Sequence, residues 1–386
     1  MAKQIGIVLN GGIRVTGKGY FLPSTYVTFV TGILNHCERL PLLMDMATSS
    51  DRSFADWQIP EQVPILLYRN SVSPSVLSKF LNYIKIFLTA FTAHLPDHLY
   101  VFFPGNLPLA LLPGILFRRK AYSIYLRGQV CYNNMFLNWF VHKILKRAQF
   151  IIATGAATAA YARQFNARVE EVVPMMKVSR ADLWRRESFA LSSPARLLFF
   201  SRIEHDKGIF ECIEAVKKLV AQGRDIVLDI AGGGSPDLLE AVAREAAALK
   251  ERVTMLGQIT ENERIASLFK QANIYLFPSH HEGFPRVLYE AMTFSTPIIT
   301  TDIPGTVGAM ESGRNCLKVP VKDADALAGA IAQLLDDEPI RQSLGESGYQ
   351  TMEKFFARIE GNSHAKQFLR LLSENKSQDI VIRSMV

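Results

Sequence analysis

The sequence predicts an α/β protein of two tandem domains, each a parallel sheet covered by helices on both faces. Three observations carry that expectation. The chain has 386 residues, above the size at which a single hydrophobic core stops growing. Apolar runs of strand length alternate with amphipathic stretches of helix length, the pattern of parallel strands joined by crossover helices. Glycine-rich turns recur where those runs end, which is where open α/β sheets collect their ligands.

In chain order, "IGIVLN", "LYVFFP", "YSIYL" and "FIIAT" read as strands of the first domain. "SVLSKFLNYIKIFLTAF" and "NNMFLNWFVHKILKRA" read as helices between them. The polar stretch 174–195, bounded by prolines, is the linker candidate. Alternation restarts with "RLLFFSR", "DIVLDIAGGG", "RVTMLG", "IYLFPS" and "PIITTD". The end of the chain reads as helices that return to the first domain. The expected division is 1–185, 186–350 and a helical tail 351–386, frayed at its end.

Composition limits the setting. Cys37, Cys131, Cys212 and Cys316 lie far apart without metal-ligand or paired spacing, which fits a reduced, cytoplasmic protein. The first apolar run is too short for a signal-peptide core. "LPLALLPGILF" is interrupted by Pro113 and followed by Arg118, Arg119 and Lys120, well short of the roughly 20 residues that span a bilayer. Charge is divided unevenly: residues 1–190 hold 21 Lys and Arg against 10 Asp and Glu, and residues 191–386 hold 22 against 26. A basic half beside a mildly acidic one points to an anionic partner of the first half, with solubility as the plain alternative. No helix-turn-helix, finger or aromatic RNA-binding motif is present, so nucleic acid is not expected.

The candidate ligand-binding residues sit at predicted strand ends. After the first strand, "NGGIRVTGKGY" brings Gly11, Gly12, Gly17 and Gly19. Such a turn either holds a phosphate on its amides or only packs closely. In "SRIEHDKGIFECIEAV", Arg202 and Lys207 flank a turn, and Gly208 opens a helix. Two cations over a helix N-terminus suit a diphosphate, although surface charge is the alternative. "IAGGGSPDLLEAV" offers Gly232 and Gly233 either for close approach to a nucleotide or as a plain turn, with Ser235 and Pro236 as N-cap and first helical residue. "HHEGFPRVLYEAM" puts Glu282 in a loop and Glu290 inside the next helix, with Pro285 at the helix start. Paired acids there suit acid–base chemistry, or separate grips on a sugar hydroxyl and a ribose diol.

R-x-x-x-x-K-G at 202–208, followed by E-G-F-P and the E-x(7)-E pair at 282 and 290, resembles the second domain of retaining glycosyltransferases of family four, the glycosyl transferases group 1. The resemblance covers roughly 196–335. It implies a GT-B architecture, two Rossmann-like doubly wound domains facing across a deep cleft. It also implies a nucleotide-diphosphate sugar donor (UDP, GDP or ADP), no cofactor and no metal. Arg202 and Lys207 would bind the diphosphate and stabilise leaving charge, Glu282 would position the donor sugar, and Glu290 would hold the ribose. Gly283, Phe284 and Pro285 would offer backbone groups, and Gly12 would lie beside the phosphates. One of His280 and His281 is expected to touch nucleotide or sugar, and His281 is the candidate. Where many members of the family carry a histidine, this chain has Arg127 before Gly128. Arg127 would serve the diphosphate, serve an anionic acceptor, or be a plain loop cation.

The implied activity is transfer to a lipid-linked or cell-envelope glycan in polysaccharide or lipopolysaccharide biosynthesis. The setting would be cytoplasmic and peripheral on the inner membrane, with the 75–95 helix either an anionic-membrane contact through Lys79 and Lys85 or a buried core helix. The alternatives are a nucleotide-sugar epimerase and a non-catalytic donor-binding partner in a glycan assembly complex. "DADAL" at 323–327 has the form of a metal-binding D-x-D but reads as an N-cap at Asp323.

Overall fold

The computed structural model describes residues 4–37, 39–48, 56–69, 76–92, 94–172, 178–282, 285–360 and 363–374. The chain divides into two compact units, Met1–Met175 with Asn362–Val386, and Met176–Gly361.

Unit 1 holds β1 (Ile5–Val8), β2 (Ile13–Thr16), β3 (Gly19–Pro23), β4 (Leu42–Thr48), β5 (Asp56–Gln58), β6 (Ile65–Arg69), β7 (His98–Phe103), β8 (Ala121–Leu126), β9 (Ile151–Thr154) and β10 (Val169–Val172). They form one sheet in the order β10-β9-β8-β7-β1-β4-β2-β3-β5, with β6 also paired to β4. Its helices are α1 (Ser24–His36), α2 (Val76–Thr92), α3 (Asn106–Phe117), α4 (Met135–Arg147) and α5 (Gly155–Arg163). Strand β7 shows why the central strands read as unbroken apolar runs. Leu99, Val101 and Phe103 face a core shared with α2 to α5, while Tyr100 and Phe102 face a second core with α1, so both sides of the pleat are buried. Beyond Gly12 the glycine-rich stretch after β1 takes the plain-turn alternative. Ile13–Thr16 and Gly19–Pro23 pair antiparallel, so Gly17 and Gly19 belong to a hairpin that widens the sheet, not to a ligand loop.

Unit 2 holds β11 (Ala195–Phe200), β12 (Ile226–Ala231), β13 (Val253–Gly257), β14 (Ile274–Phe277), β15 (Ile298–Thr301) and β16 (Leu317–Val319), all parallel in the order β13-β12-β11-β14-β15-β16. Helices α6 (Ile209–Ala221), α7 (Pro236–Ala246), α8 (Asn262–Gln271), α9 (Arg286–Thr293), α10 (Ala324–Asp336) and α11 (Glu338–Glu360) complete it. Ser235 accepts from the Leu238 amide at the start of α7, and Asp323 accepts from the Ala326 amide at 2.8 Å, so the D-x-D form is a helix cap.

The described part of the linker candidate is built into unit 2. Arg186 is buried and donates to the carbonyls of Phe269, Lys270 and Ala272 at the end of α8. A cation there satisfies carbonyls that the helix leaves open. Helix α11 also stays with unit 2, where Phe355 lies 5.2 Å from the Tyr289 ring of α9. The return to unit 1 starts at Asn362, later than the 351 read from the sequence, and is made by α12 (His364–Ser373). On α12, Phe368 stacks on Tyr100 at 4.2 Å, His364 Nε2 meets the Tyr100 hydroxyl at 2.6 Å, and Arg370 pairs with Glu170. Phe368, Leu369 and Leu372 are fully buried, each stabilising the seat by roughly 2 kcal/mol.

Candidate functional site

Strand order in unit 2 reverses once. From β11 the chain builds outward through β12 and β13, then crosses to β14, β15 and β16 on the other side. The loops after β11 and β14 therefore diverge to opposite faces and leave a crevice at the carboxyl edge, the usual ligand position in such sheets. Lys207 follows β11 and Glu282 follows β14. Lys207 Nζ lies 2.8 Å from Glu282 Oε1 and 3.4 Å from Asp206 Oδ2. The pair bridges the reversal point.

Local geometry puts the ammonium there. Glu204 accepts from the Lys207 amide at 3.1 Å, which closes a tight turn before α6. Gly208 follows at φ 72°, and a Cβ at this position would come within 2.2 Å of the Pro278 carbonyl oxygen. Only glycine combines that conformation with that approach. The loop after β14 is tied to the same turn, because His280 donates its amide to the Asp206 carbonyl at 2.8 Å and its Nε2 lies 2.8 Å from Glu211 Oε1 of α6. The Lys207 side chain is 5% exposed and that of Glu282 23%. A buried ammonium is tolerated because carboxylates flank it. It is also the charge that an incoming anion would meet.

The other nominated residues fall into three groups. Glu290 is buried in α9. Burial, then the charges of Glu290 and Glu282, push the Tyr275 hydroxyl on β14 well above its ordinary range, so both acids act on one neighbourhood. Pro285 is buried and caps α9, His281 is exposed, and Gly283 and Phe284 lie outside the described residues. Arg202 stands apart from the buried pair: its side chain is 71% exposed and its guanidinium contacts Glu204 Oε1 at 2.6 Å. Gly232 and Gly233 are tied into the strand ends, with the Gly232 amide donating to Gly257 and the Gly233 carbonyl accepting from Ile203. A Cβ on Gly232 would lie 1.8 Å from the Ser201 carbonyl oxygen, so close packing accounts for this glycine.

Unit 1 has its own reversal point, between β1 and β7. Here the charge at the centre is a carboxylate that sequence reading passed over. Asp45 of β4 is 1% exposed. It accepts from the amides of Gly11 at 3.2 Å, Gly12 at 2.9 Å and Met46 at 2.7 Å. Burial pushes it up to about 6, against the opposing pull of those amides and of the Arg127 charge. The Gly12 amide is thus already committed to an internal anion. Arg127, after β8, donates to the Pro104 carbonyl at 3.1 Å and the Tyr26 hydroxyl at 3.3 Å, and Asn10 donates to the same carbonyl at 3.0 Å. The sequence did carry a signal for Asp45. It is a lone acid inside the apolar run "LLMDMAT", and a buried acid needs donors.

Residues 181–351 match the family model described as glycosyl transferases group 1. Among curated relatives, an alpha-D-kanosaminyltransferase of Streptomyces kanamyceticus is 33% identical over 170 residues, 44% of this chain and 43% of that protein. A capsular polysaccharide biosynthesis glycosyltransferase of Staphylococcus aureus is 26% identical over 182 residues, 47% of each chain. The match thus spans about half the length of these relatives. Among solved structures, Anabaena HepE in complex with UDP and glucose aligns with a TM-score of 0.71 at 16% identity, covering 96% of this chain and 100% of that one. Sucrose-phosphate synthase of Thermosynechococcus elongatus aligns at 0.71 and 19%, covering 97% and 99%. At these identities the likeness is one of fold, two Rossmann-like domains of the GT-B type. The segment 181–351, which carries the Lys207–Glu282 pair, is thus the part of the chain that matches the glycosyl transferases group 1 model.

Proposed function

We propose that this protein transfers a sugar from a nucleotide-diphosphate donor to a glycan acceptor, with retention of anomeric configuration and without a metal ion. The observation that carries the reading is the buried Lys207 ammonium at the reversal point of a sheet whose sequence matches the glycosyl transferases group 1 model. Breaking a glycosyl–diphosphate bond develops negative charge on the leaving phosphate, and a preorganised cation at that place lowers the barrier. In the proposed step the bond from the anomeric carbon to the phosphate oxygen breaks and a bond to the acceptor oxygen forms on the same face. The acceptor proton passes to the departing phosphate oxygen, leaving nucleoside diphosphate and glycoside. Glu282 then needs no nucleophilic role. Held by Lys207, it is suited to positioning the sugar. Glu290 is proposed for the ribose hydroxyls, Arg202 for the outer phosphate, and His281 with the 283–285 backbone for the sugar.

UDP complexes of a structural neighbour favour a UDP-sugar and the capsular relative a cell-envelope glycan; a lipid-linked acceptor used at the cytoplasmic face of a membrane is the finer part of the same proposal. Thermal shift with UDP, GDP, ADP and their common sugars tests the donor, because a ligand bound only by the folded state raises the melting temperature by mass action. Stabilisation by one nucleotide and its loss in Lys207→Ala are expected. No response to any nucleotide would remove the reading, and an isomerised free sugar nucleotide would replace it with epimerisation.

A further inference from the structure

Helix α4 presents its first turn outward. Met135 is 88% exposed, Phe136 72% and Trp139 53%, three large apolar side chains within five positions. This is not a frayed end. Asn134 caps the helix by accepting from the Leu137 amide at 3.0 Å, and Asn138 both accepts from the Tyr132 amide at 2.7 Å and donates to its carbonyl at 2.6 Å. The backbone is thereby fixed with the apolar tips already pointing out. Phe136 and Trp139 lie 5.7 Å apart, and Lys143 Nζ sits 4.8 Å from the Trp139 ring. Lys146 and Arg147 are exposed further along the helix. The surrounding chain is one-signed: residues 98–169 contain nine Lys and Arg and no Asp or Glu. Because α4 follows β8, its first turn lies at the carboxyl edge of the unit 1 sheet, a short loop after Arg127.

Apolar tips flanked by cations in an acid-free segment fit a surface that is oily within and negative at its face. We infer that the first turn of α4 is an insertion wedge for an anionic lipid bilayer, with Met135, Phe136 and Trp139 entering the interface and Lys143, Lys146 and Arg147 at headgroup level. Among the described residues no helix is long and apolar enough to cross a membrane, so the contact is peripheral. As a place of acceptor delivery this rests on the transfer reading. As a binding surface it stands without it. The sequence had pointed to α2 for this contact, and α2 does expose Leu81 and Leu88. Helix α2 also exposes Tyr83 and Ile84 and is equally free of acids, but the capped first turn of α4 carries the more exposed tips, Met135 and Phe136, and is the stronger candidate.

The test is flotation of the full chain with vesicles of phosphatidylglycerol and phosphatidylethanolamine, against phosphatidylcholine vesicles, across a salt series. Binding to the anionic vesicles that weakens with salt is expected, with M135S/F136S/W139S weakening it on the order of tenfold or more. In W57F/W184F, Trp139 is left as the single tryptophan, and its emission should move to the blue on anionic vesicles. The inference is overturned by equal binding of the triple variant, by no emission shift, or by loss of binding in L81S/L88S alone. A triple-variant-sensitive dimer that ignores vesicles would also overturn it, assigning the face to a second copy. Circular dichroism and nucleotide binding of each variant control for folding. A chain that binds vesicles but no nucleotide would leave this surface standing and remove the transfer reading.

Discussion

The two units place opposite charges at the same topological position. Each sheet has a central reversal, β7/β1 in unit 1 and β11/β14 in unit 2, and the loop after its first strand, β1 or β11, carries or holds a nearly inaccessible charged group. In unit 1 it is the Asp45 carboxylate, saturated by three backbone amides. In unit 2 it is the Lys207 ammonium, held by two side-chain carboxylates. The fold supplies a crevice in both, and the local sequence decides what it can receive. Amides that already serve Asp45 have nothing left for a phosphate, whereas an ammonium held by side-chain carboxylates, one of them half exposed, can exchange partners. This contrast is the reason the proposed diphosphate site is put in unit 2.

The sharpest way to break this contrast is Lys207→Ala. It removes the one buried cation described at the unit 2 reversal and leaves Glu282 and Asp206 facing each other. Transfer efficiency, as kcat/KM with the identified donor, should fall by about 10²–10³-fold, the scale of losing one preorganised group at developing charge. Glu282→Gln, which leaves Lys207 paired with Asp206, should cost less. Equal losses would mean that the pair matters to folding and not to the leaving group.

Gly208→Ala tests the scaffold under the ammonium. The new Cβ combines a left-handed backbone with a 2.2 Å approach to the Pro278 carbonyl oxygen, so a destabilisation of about 3 kcal/mol is expected in chemical denaturation. Gly12→Ala in unit 1 also meets a positive φ, 79°, and should cost nearer to about 1 kcal/mol. If the order were inverted, the glycine turn of unit 1 would be the tighter of the two.

These residues also show what the sequence could and could not reveal. Strand ends, helix caps and the family spacing from Arg202 to Glu290 were legible, because periodicity, Ser235–Pro236 and Asp323 are local signals. The 282–290 spacing likewise put Glu282 in a loop and Glu290 in the next helix, as the fold has them. Three things were missed or left undecided. The hairpin of β2 and β3 could not be told from a ligand loop, since glycines in a turn and glycines in a phosphate cradle look alike. The Arg186 cap on α8 hid inside a polar stretch, because its partners are carbonyls some 83 to 86 positions away. Asp45 was overlooked because its partners are backbone amides, and no side-chain motif reports a backbone donor.

Acid should separate the units next. In unit 1, burial holds His98 and His364 down to about 3. Each therefore contributes stability that is present above its unfolded value of about 6.5 and is lost as pH falls toward 3. Asp45 acts the other way: with its folded value raised to about 6, it contributes stability that is present below about pH 4 and lost as pH rises through 6. Between pH 4 and 6 the unfolded chain holds two extra protons on the histidines and the folded chain one on Asp45. The net dependence is about 1.4 kcal/mol per pH unit. Unit-resolved hydrogen exchange should show unit 1 opening first on acidification. Asp45→Asn removes the opposing proton, so its slope should rise to about twice that value. An unchanged slope would show that Asp45 titrates alike in both states.

The smallest effect is expected at Arg202, and it measures how far the unit 2 site extends beyond its buried pair. The side chain is 71% exposed and its partner Glu204 40%, so Arg202→Ala should change stability by less than about 0.5 kcal/mol. A guanidinium that reaches the outer phosphate only when donor is bound would still matter to transfer. Its loss should raise KM for the nucleotide sugar by about tenfold while the Lys207 contribution to kcat persists. The loss should also shrink as ionic strength rises, since an exposed charge is screened within a Debye length of roughly 8 Å in physiological salt. An Arg202→Ala variant with unchanged KM at low salt would confine the anion site to Lys207 and leave Arg202 as the surface partner of Glu204.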